Sequence, residues 1–370
     1  MKYVLDISTL DALSSGAKQR FLNLYSELIK LNKKKDFVII YTKFNEVRKI
    51  FNYQNVNFIK NPFSQEKYLK KIISTVFLFF YIRIKFKKIK TIEYFTLPFF
   101  KIQNCKTIFT IHDLRRIYFS TFFLNRFFLT LFFKFFLKKA DNIVVVSKAV
   151  KNEMTRYFNK LKMTVVYNTI DKSFFDKIST KDTNKIKKKY SLPNNFILTV
   201  GHLEKRKNFL PLIKAIKILK NDGQNIRLVI IGQNSDESEK IKSLITFLKL
   251  KKNIKIYSKL NDFEVACFYK SANLFVFPSI YEGFGIPLLE SMASNLPMVL
   301  SNTEIFREVT ESKYSYFDQY DPLSIANRIK YVLSNKNLQK QMVKYGEKRI
   351  NFFSLDVQKK KIDYFYNKVI

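Results

Sequence analysis

The feature that most limits what this chain can become is an alternation that runs along its whole length. Short apolar runs are separated by longer segments of helical period. In the first half the strand candidates are Tyr3–Ile7, Phe37–Thr42, Thr107–Ile111, Ile143–Val146 and Met163–Tyr167. In the second half they are Phe196–Val200, Arg227–Ile231, Ile254–Tyr257, Leu274–Phe277 and Met298–Ser301. Strands spaced by helices predict parallel sheets covered on both faces, an α/β class. The alternation lapses over the polar, Lys-rich stretch Lys172–Asn195 and restarts at Phe196. The chain is therefore expected to form two doubly wound, Rossmann-like domains, residues 1–172 and 173–352, with a cleft between them. A last helix, 353–370, is expected to pack back on the first domain. One large mixed sheet is the other topology, but ten strands would strain it. In open parallel sheets, ligands bind beyond the carboxyl ends of the strands, so that is where functional residues are sought.

Composition narrows the chemistry. Two cysteines, Cys105 and Cys267, exclude a disulfide framework or a Cys-rich zinc module, and two histidines leave little for a His-based metal site. A hydrophobic fraction of 47% excludes bulk disorder. The net charge of +37 points first to nucleic acid or to an anionic membrane surface. Abundant Lys, Asn, Ile, Phe and Tyr without any Trp is also the mark of AT-rich coding, which spreads Lys everywhere. The charge is uneven, however: +22 over residues 1–170 and +15 over the longer remainder. The start, MKYVLDIST, lacks the apolar run of a signal peptide, so a cytoplasmic protein is expected.

The most specific segment follows Leu274–Phe277. It reads Pro278-Ser-Ile-Tyr-Glu282-Gly283-Phe284-Gly285-Ile286-Pro287-Leu-Leu-Glu290. A strand ends, a loop with two glycines follows, and a helix starts near Ile286. Pro287 suits the first helical turn, where its missing N–H costs nothing. Gly283 and Gly285 let backbone approach a ligand, and the helix start favours a phosphate. Glu290, one turn in, can accept hydrogen bonds from two ribose hydroxyls. A second loop, Gly201-His202-Leu-Glu204-Lys205-Arg206-Lys207-Asn208, follows Phe196–Val200 and opens a helix over 208–220. Consecutive cations at a strand's carboxyl end suit a diphosphate.

These two loops resemble those of glycosyltransferase family 4, retaining enzymes of the GT-B superfamily that use nucleotide sugars. The family's Glu-x7-Glu signature matches Glu282 and Glu290, and its Gly-x-x-x-x-Arg-Lys-Asn loop matches Gly201, Arg206, Lys207 and Asn208. The resemblance covers essentially the whole chain. It implies that Arg206 and Lys207 bind the donor diphosphate, that Glu290 holds the ribose and that Glu282 contacts the donor sugar. Backbone N–H groups of Phe284, Gly285 and Ile286 would cradle sugar and phosphate. Where other members place Arg directly after the glycine, this chain has His202. Members of this kind generally use no catalytic metal and no cofactor beyond the GDP- or UDP-linked donor. His112-Asp113-Leu114, after Thr107–Ile111, matches the family's His-Asp-Leu motif and implies a sugar contact by His112. The segment Ser14–Arg20 corresponds to the family's Gly-rich loop, here with Gly16 alone. Asn168-Thr169-Ile170-Asp171 resembles the turn that enters the interdomain linker. Ser147 reads as a helix cap.

Residues 117–137 hold nine Phe and one Tyr, enough length to span a bilayer. Arg126 and Lys134 would each cost about 2.5–3.5 kcal/mol near the centre of a spanning helix. With Thr130 and Lys138 they form a narrow polar stripe, so a helix packed on its own sheet with apolar surface to spare is expected. Val76–Ile84 adds a shorter aromatic run followed by Lys85, Lys87, Lys88 and Lys90. Exposed Phe beside cations marks an interfacial helix, and an anionic membrane surface is the expected partner, with no nucleic acid. The reading as a whole is a hexosyltransferase, mannose favoured, acting on a glycan or lipid-linked glycan. A GT-B nucleotide-sugar epimerase is the alternative, and a basic nucleic-acid-binding protein stands behind it.

Overall fold

The computed structural model describes residues 1–10, 16–63, 68–86, 88–95, 97, 99–120 and 123–369. It divides into two compact units: Met1–Thr169 with Leu355–Ile370, and Ile170–Ser354. The chain thus leaves the first unit at Thr169 and re-enters it at Leu355. At these crossings Ile170 and Ser354 form a short parallel bridge.

The first unit is built on seven parallel strands in the order β3-β2-β1-β4-β5-β6-β7. They are β1 (Lys2–Asp6), β2 (Asp36–Tyr41), β3 (Val56–Lys60), β4 (Ile89–Tyr94), β5 (Lys106–Ile111), β6 (Asn142–Val145) and β7 (Met163–Val165). The central strands are buried on both faces, as continuous apolar runs demand. Two of the strands, β3 and β4, are absent from the sequence-based expectation. The β4 run Ile-Lys-Thr-Ile-Glu-Tyr carries three polar residues and does not look like a buried strand. The helical segment over 16–31 is irregular. A π turn at Phe21–Tyr25 separates Gly16–Arg20 from Ser26–Leu31 and turns Phe21, Leu24 and Tyr25 all into the core.

That core holds a polar cluster. Glu93 of β4 is fully buried and accepts hydrogen bonds from Tyr25 Oη at 2.5 Å, from Thr110 Oγ1 and from Tyr366 Oη in the returning C-terminal segment. Each donor offsets part of the cost of desolvating the carboxyl group.

The Phe-rich stretch is not one helix. A single turn, Arg115–Tyr118, is followed by a helix at Phe123–Leu137. The first closes with Phe119 N–H donating to the Arg115 carbonyl at 2.9 Å. Among the described residues no helix is long and apolar enough to cross a membrane.

The second unit carries six parallel strands in the order β10-β9-β8-β11-β12-β13. They are β8 (Ile197–Val200), β9 (Leu228–Ile231), β10 (Ile254–Tyr257), β11 (Leu274–Phe277), β12 (Met298–Ser301) and β13 (Ser315–Phe317). The three-residue edge strand β13 is the only one the alternation does not announce. In each sheet the strand order reverses beside the first strand, β1 or β8, which leaves a crevice at the carboxyl ends.

Candidate functional site: two loops of the second sheet

The neighbouring strands β8 and β11 both end at this crevice. After Val200 the chain runs through Gly201 into a 3-10 turn at Lys205–Lys207, then through Asn208 into the helix Phe209–Asn221. Asn208 takes the left-handed conformation, φ 57°, and its Nδ2 donates to the carbonyls of Pro278 at 3.1 Å and Gln319 at 2.7 Å. Ile280 N–H donates to the Arg206 carbonyl at 2.9 Å. These bonds tie the Arg206–Lys207 turn to the loop after β11, so the two segments with cations and carboxylates have a fixed register.

Their side chains meet. Lys207 Nζ lies 2.6 Å from Glu282 Oε1, and Arg206 Nη1 lies 2.8 Å from Oε2 of the same carboxylate. Arg206 Nε lies 2.7 Å from Glu204 Oε2. Lys207 is buried and stands 5.0 Å from the centre of the Phe277 ring. Gly201 makes room for it: a Cβ there would stand 2.7 Å from Lys207 Cε. A Cβ on Gly232, which follows β9, would stand only 1.9 Å from the Gly201 carbonyl oxygen. Gly232 therefore belongs to the site's scaffold, and sequence reasoning passed over it.

Burial alone would raise the Glu282 carboxyl, but Lys207 and then Arg206 outweigh it and hold the group below the usual carboxylate range. Burial lowers the Lys207 ammonium despite the attraction of Glu282. Eight residues on, Glu290 behaves in the opposite way. Burial, with a smaller push from Asp262, raises it to about 7, although Tyr269 Oη donates to Oε2 at 2.8 Å. The Tyr269 contact reaches across from the helix Asp262–Ser271, and no local sequence pattern signals it.

Glu290 sits on the helix Ile286–Ala293, whose first turn contains Pro287. Gly285 precedes it at φ 89°, a conformation that an L side chain would strain. No side chain caps this amino end, which favours an anion. Gly283 and Phe284 are buried, with Phe284 edge-on to Phe353 at 5.6 Å. Thus Gly201, Arg206, Lys207, Glu282, Gly283, Phe284, Gly285, Ile286 and Glu290 all lie on the two loops and the helix that follows. Lys205, by contrast, points to solvent.

In the first unit, His112 follows β5. Burial, then Arg20, then Arg115 pull its imidazole down to about 3, so it is neutral at ordinary pH. Its Nε2 is buried without a hydrogen-bond partner among the described residues. Asp113 Oδ1 instead accepts Arg115 N–H at 3.1 Å. Gly16 is exposed at the start of its helix; Ser14 and Ser15 lie outside the described residues. Arg20, four residues after Gly16, is buried and donates to the Val166 carbonyl at 2.7 Å and to Asn168 Oδ1 at 3.0 Å. Ser147 accepts Val150 N–H at 3.1 Å and caps its helix, as its position after a strand suggests. No group of three or more His, Cys, Asp or Glu among the described residues could hold a metal ion.

Comparison with known proteins agrees with this architecture. The profile of glycosyl transferases group 1 matches residues 180–349, and that of Glycosyltransferase Family 4 matches residues 16–174. Solved structures of the same fold include a glycosyltransferase from Rickettsia africae, with a TM-score of 0.78 at 19% identity over 100% of this chain and 98% of that one. Another is WaaG, a glycosyltransferase involved in lipopolysaccharide biosynthesis, with a TM-score of 0.74 at 11% identity over 100% of both chains. At such identities the likeness is one of fold, and the fold is GT-B. Within that class the chain belongs to glycosyltransferase family 4. Among its relatives is the O-antigen chain mannosyltransferase RfbU of Salmonella typhimurium, 29% identical over 253 residues, which take in 67% of this chain and 66% of that one. The capsular polysaccharide biosynthesis glycosyltransferase CapM of Staphylococcus aureus is 28% identical over 281 residues, 74% of this chain and 73% of that one.

Proposed function

We propose that the protein moves a hexose, mannose in preference, from a nucleotide diphosphate sugar to a glycan or lipid-linked glycan during cell-surface polysaccharide synthesis. The observation that carries the reading is the Glu282 carboxylate bridging Arg206 and Lys207, with Glu290 one helical turn beyond Gly285. The mannosyltransferase RfbU among the relatives supports mannose over other hexoses.

In this reading the donor diphosphate lies against Arg206, Lys207 and the amino end of the Ile286–Ala293 helix. Its ribose hydroxyls donate to Glu290, which must be ionised to accept both. The acceptor hydroxyl attacks the anomeric carbon from the side on which the diphosphate departs, so configuration is retained. The leaving phosphate oxygen takes the acceptor's proton. As the glycosidic bond breaks, negative charge grows on the diphosphate and Arg206 and Lys207 stabilise it, an electrostatic term strongest where water is excluded. Glu282 orients the two cations and accepts a hydroxyl of the donor sugar. His112 is neutral and offers its imidazole to a sugar hydroxyl without bringing a charge. The reading requires no metal or resident cofactor. It sets the protein at the inner face of the plasma membrane, where a lipid-linked acceptor resides.

Thermal shift against GDP, UDP, ADP and dTDP tests the donor: GDP should stabilise most, and a response to UDP alone would move the assignment to a UDP-sugar. Turnover measured with and without a glycan acceptor separates transfer from epimerisation. Release of free sugar at an undiminished rate without acceptor would favour the epimerase.

A further inference from the structure

Away from the carboxyl ends, the first unit has a cavity of about 800 Å³ at the opposite end of its strands. It is formed where the helix Tyr68–Lys85 delivers the chain to β4, beside the starts of β1, β5 and β6. Arg83, Lys88, Lys90, Lys101 and Lys106 line it, against one carboxylate, Asp141. Asp141 pairs with one of these cations, Lys101 Nζ, at 2.7 Å and accepts Thr107 N–H at 2.8 Å, which leaves Arg83, Lys88 and Lys90 in excess. A concave site with such an excess of cations attracts phosphate more strongly than a flat surface does, because its walls focus the field.

The surface beside the cavity is apolar. Next to Arg83, Ile84 is 83% exposed, and it continues a stripe of exposed Ile73, Val76 and Phe80 along the same helix. The helix Phe123–Leu137 carries a second stripe, with Leu124, Phe127, Phe128, Leu131 and Phe135 exposed. Right-handed crossovers place both helices on one face of the sheet. Ring contacts between Phe79 and Phe100 and between Phe99 and Phe136 link each helix to the same connecting segment. Apolar side chains bordered by cations are what an interfacial helix presents to a bilayer.

We propose that this cavity is a binding site for the phosphate of an anionic phospholipid head group. Arg83, Lys88 and Lys90 hold the phosphate, while Phe80, Ile84 and the Phe123–Leu137 stripe enter the acyl boundary. The inference rests on the reading of the protein as a membrane-associated transferase and supplies the site that the reading lacks. It also gives the basic surplus of residues 1–170 a definite place.

The test is flotation of the full chain with phosphatidylcholine vesicles, with and without phosphatidylglycerol, at low ionic strength. Binding should require phosphatidylglycerol. The variant R83Q/K88Q/K90Q should lose about fivefold per charge, roughly a hundredfold in all. The variant K214Q/K240Q/K251Q, equal in charge but on exposed positions of the second unit, should bind as the parent does. Equal losses from both variants would mean diffuse attraction and overturn the site. Two other results would overturn the membrane source: calorimetric binding of glycerol 3-phosphate by a protein that binds neither vesicle, or retention by RNA but not by vesicles. The nucleotide thermal shift of each variant is read in parallel. If it persists while vesicle binding is unaffected by R83Q/K88Q/K90Q, the cavity assignment falls and the transferase reading stands.

Discussion

At the carboxyl end of the second sheet, two cations and two carboxylates stand paired beside a Glu290 poised to change its charge. At the carboxyl end of the first, His112 is held neutral, and the ionisable Arg20 and Glu93 lie inside the core. Both sheets are parallel and doubly wound, so the fold does not set this contrast. The loop after β11 and the turn after β8 bring opposite charges together. β5, by contrast, ends on one buried imidazole acted on by Arg20 and Arg115, the latter paired with Asp113 at 3.5 Å. In the proposed reaction the end of the second sheet would meet the ligand whose charge grows, that of the first neutral hydroxyls.

Lys207→Ala and His112→Ala should separate the two ends by the widest margin. The first should lower kcat by roughly 10²–10³, the range for losing one preorganised donor to a developing oxyanion, with a small change in donor KM. The second should cost less, about tenfold to a hundredfold, and show mainly in kcat/KM. Steady-state kinetics with near-wild-type melting temperatures checks both; equal losses in kcat would erase the distinction between the two ends.

The pH dependence comes next. With a folded value near 3, His112 should leave no inflection near 6.5 in the rate profile. Glu290 should impose one near 7 on donor affinity: protonated below, it accepts fewer ribose hydrogen bonds, so donor KM rises as pH falls. Glu290→Gln should raise donor KM about tenfold, the loss of one hydrogen bond of about 1.4 kcal/mol, and abolish that limb. His112→Ala should keep it.

Glu290 also predicts a smaller effect of opposite sign on stability. Its folded value lies above the unfolded one, so between about 4.5 and 7 the folded state binds more protons. This group's contribution to stability therefore falls as pH rises through that window. Glu290→Gln should then melt about 2–4 °C higher than the parent at pH 8, near 1 kcal/mol for a unit of this size, and show little difference at pH 5. Differential scanning calorimetry distinguishes the two pH values. In the other unit, Tyr366→Phe should lower stability by about 1–3 kcal/mol by removing a donor to buried Glu93, measured by urea unfolding.

The parts of this architecture legible in the sequence are those that depend on local pattern. The strands with continuous apolar runs, the Gly285–Pro287 helix start and the Ser147 cap all announce themselves within a few residues. The strand β4 did not, because Lys90, Thr91 and Glu93 interrupt its apolar run, and the partners that make Glu93 tolerable lie 17, 68 and 273 residues away. The same holds in the site. The residues of the two loops were identifiable by type and spacing. The Glu282 bridge to both cations, the Tyr269 bond to Glu290 and the close contact of Gly232 with Gly201 arise only when distant strands pair.

The return of the chain to its first unit has a consequence for how the protein is made. Residues 355–370 are synthesised after the whole of the second unit, yet Tyr366 donates to a carboxyl group laid down near residue 93. Domains usually mature in order of synthesis. Here the first unit receives its closing segment only after the whole of the second has emerged. Without Tyr366, buried Glu93 keeps two donors in place of three, so the core of the first unit gains its full hydrogen bonding only from a segment made after the second.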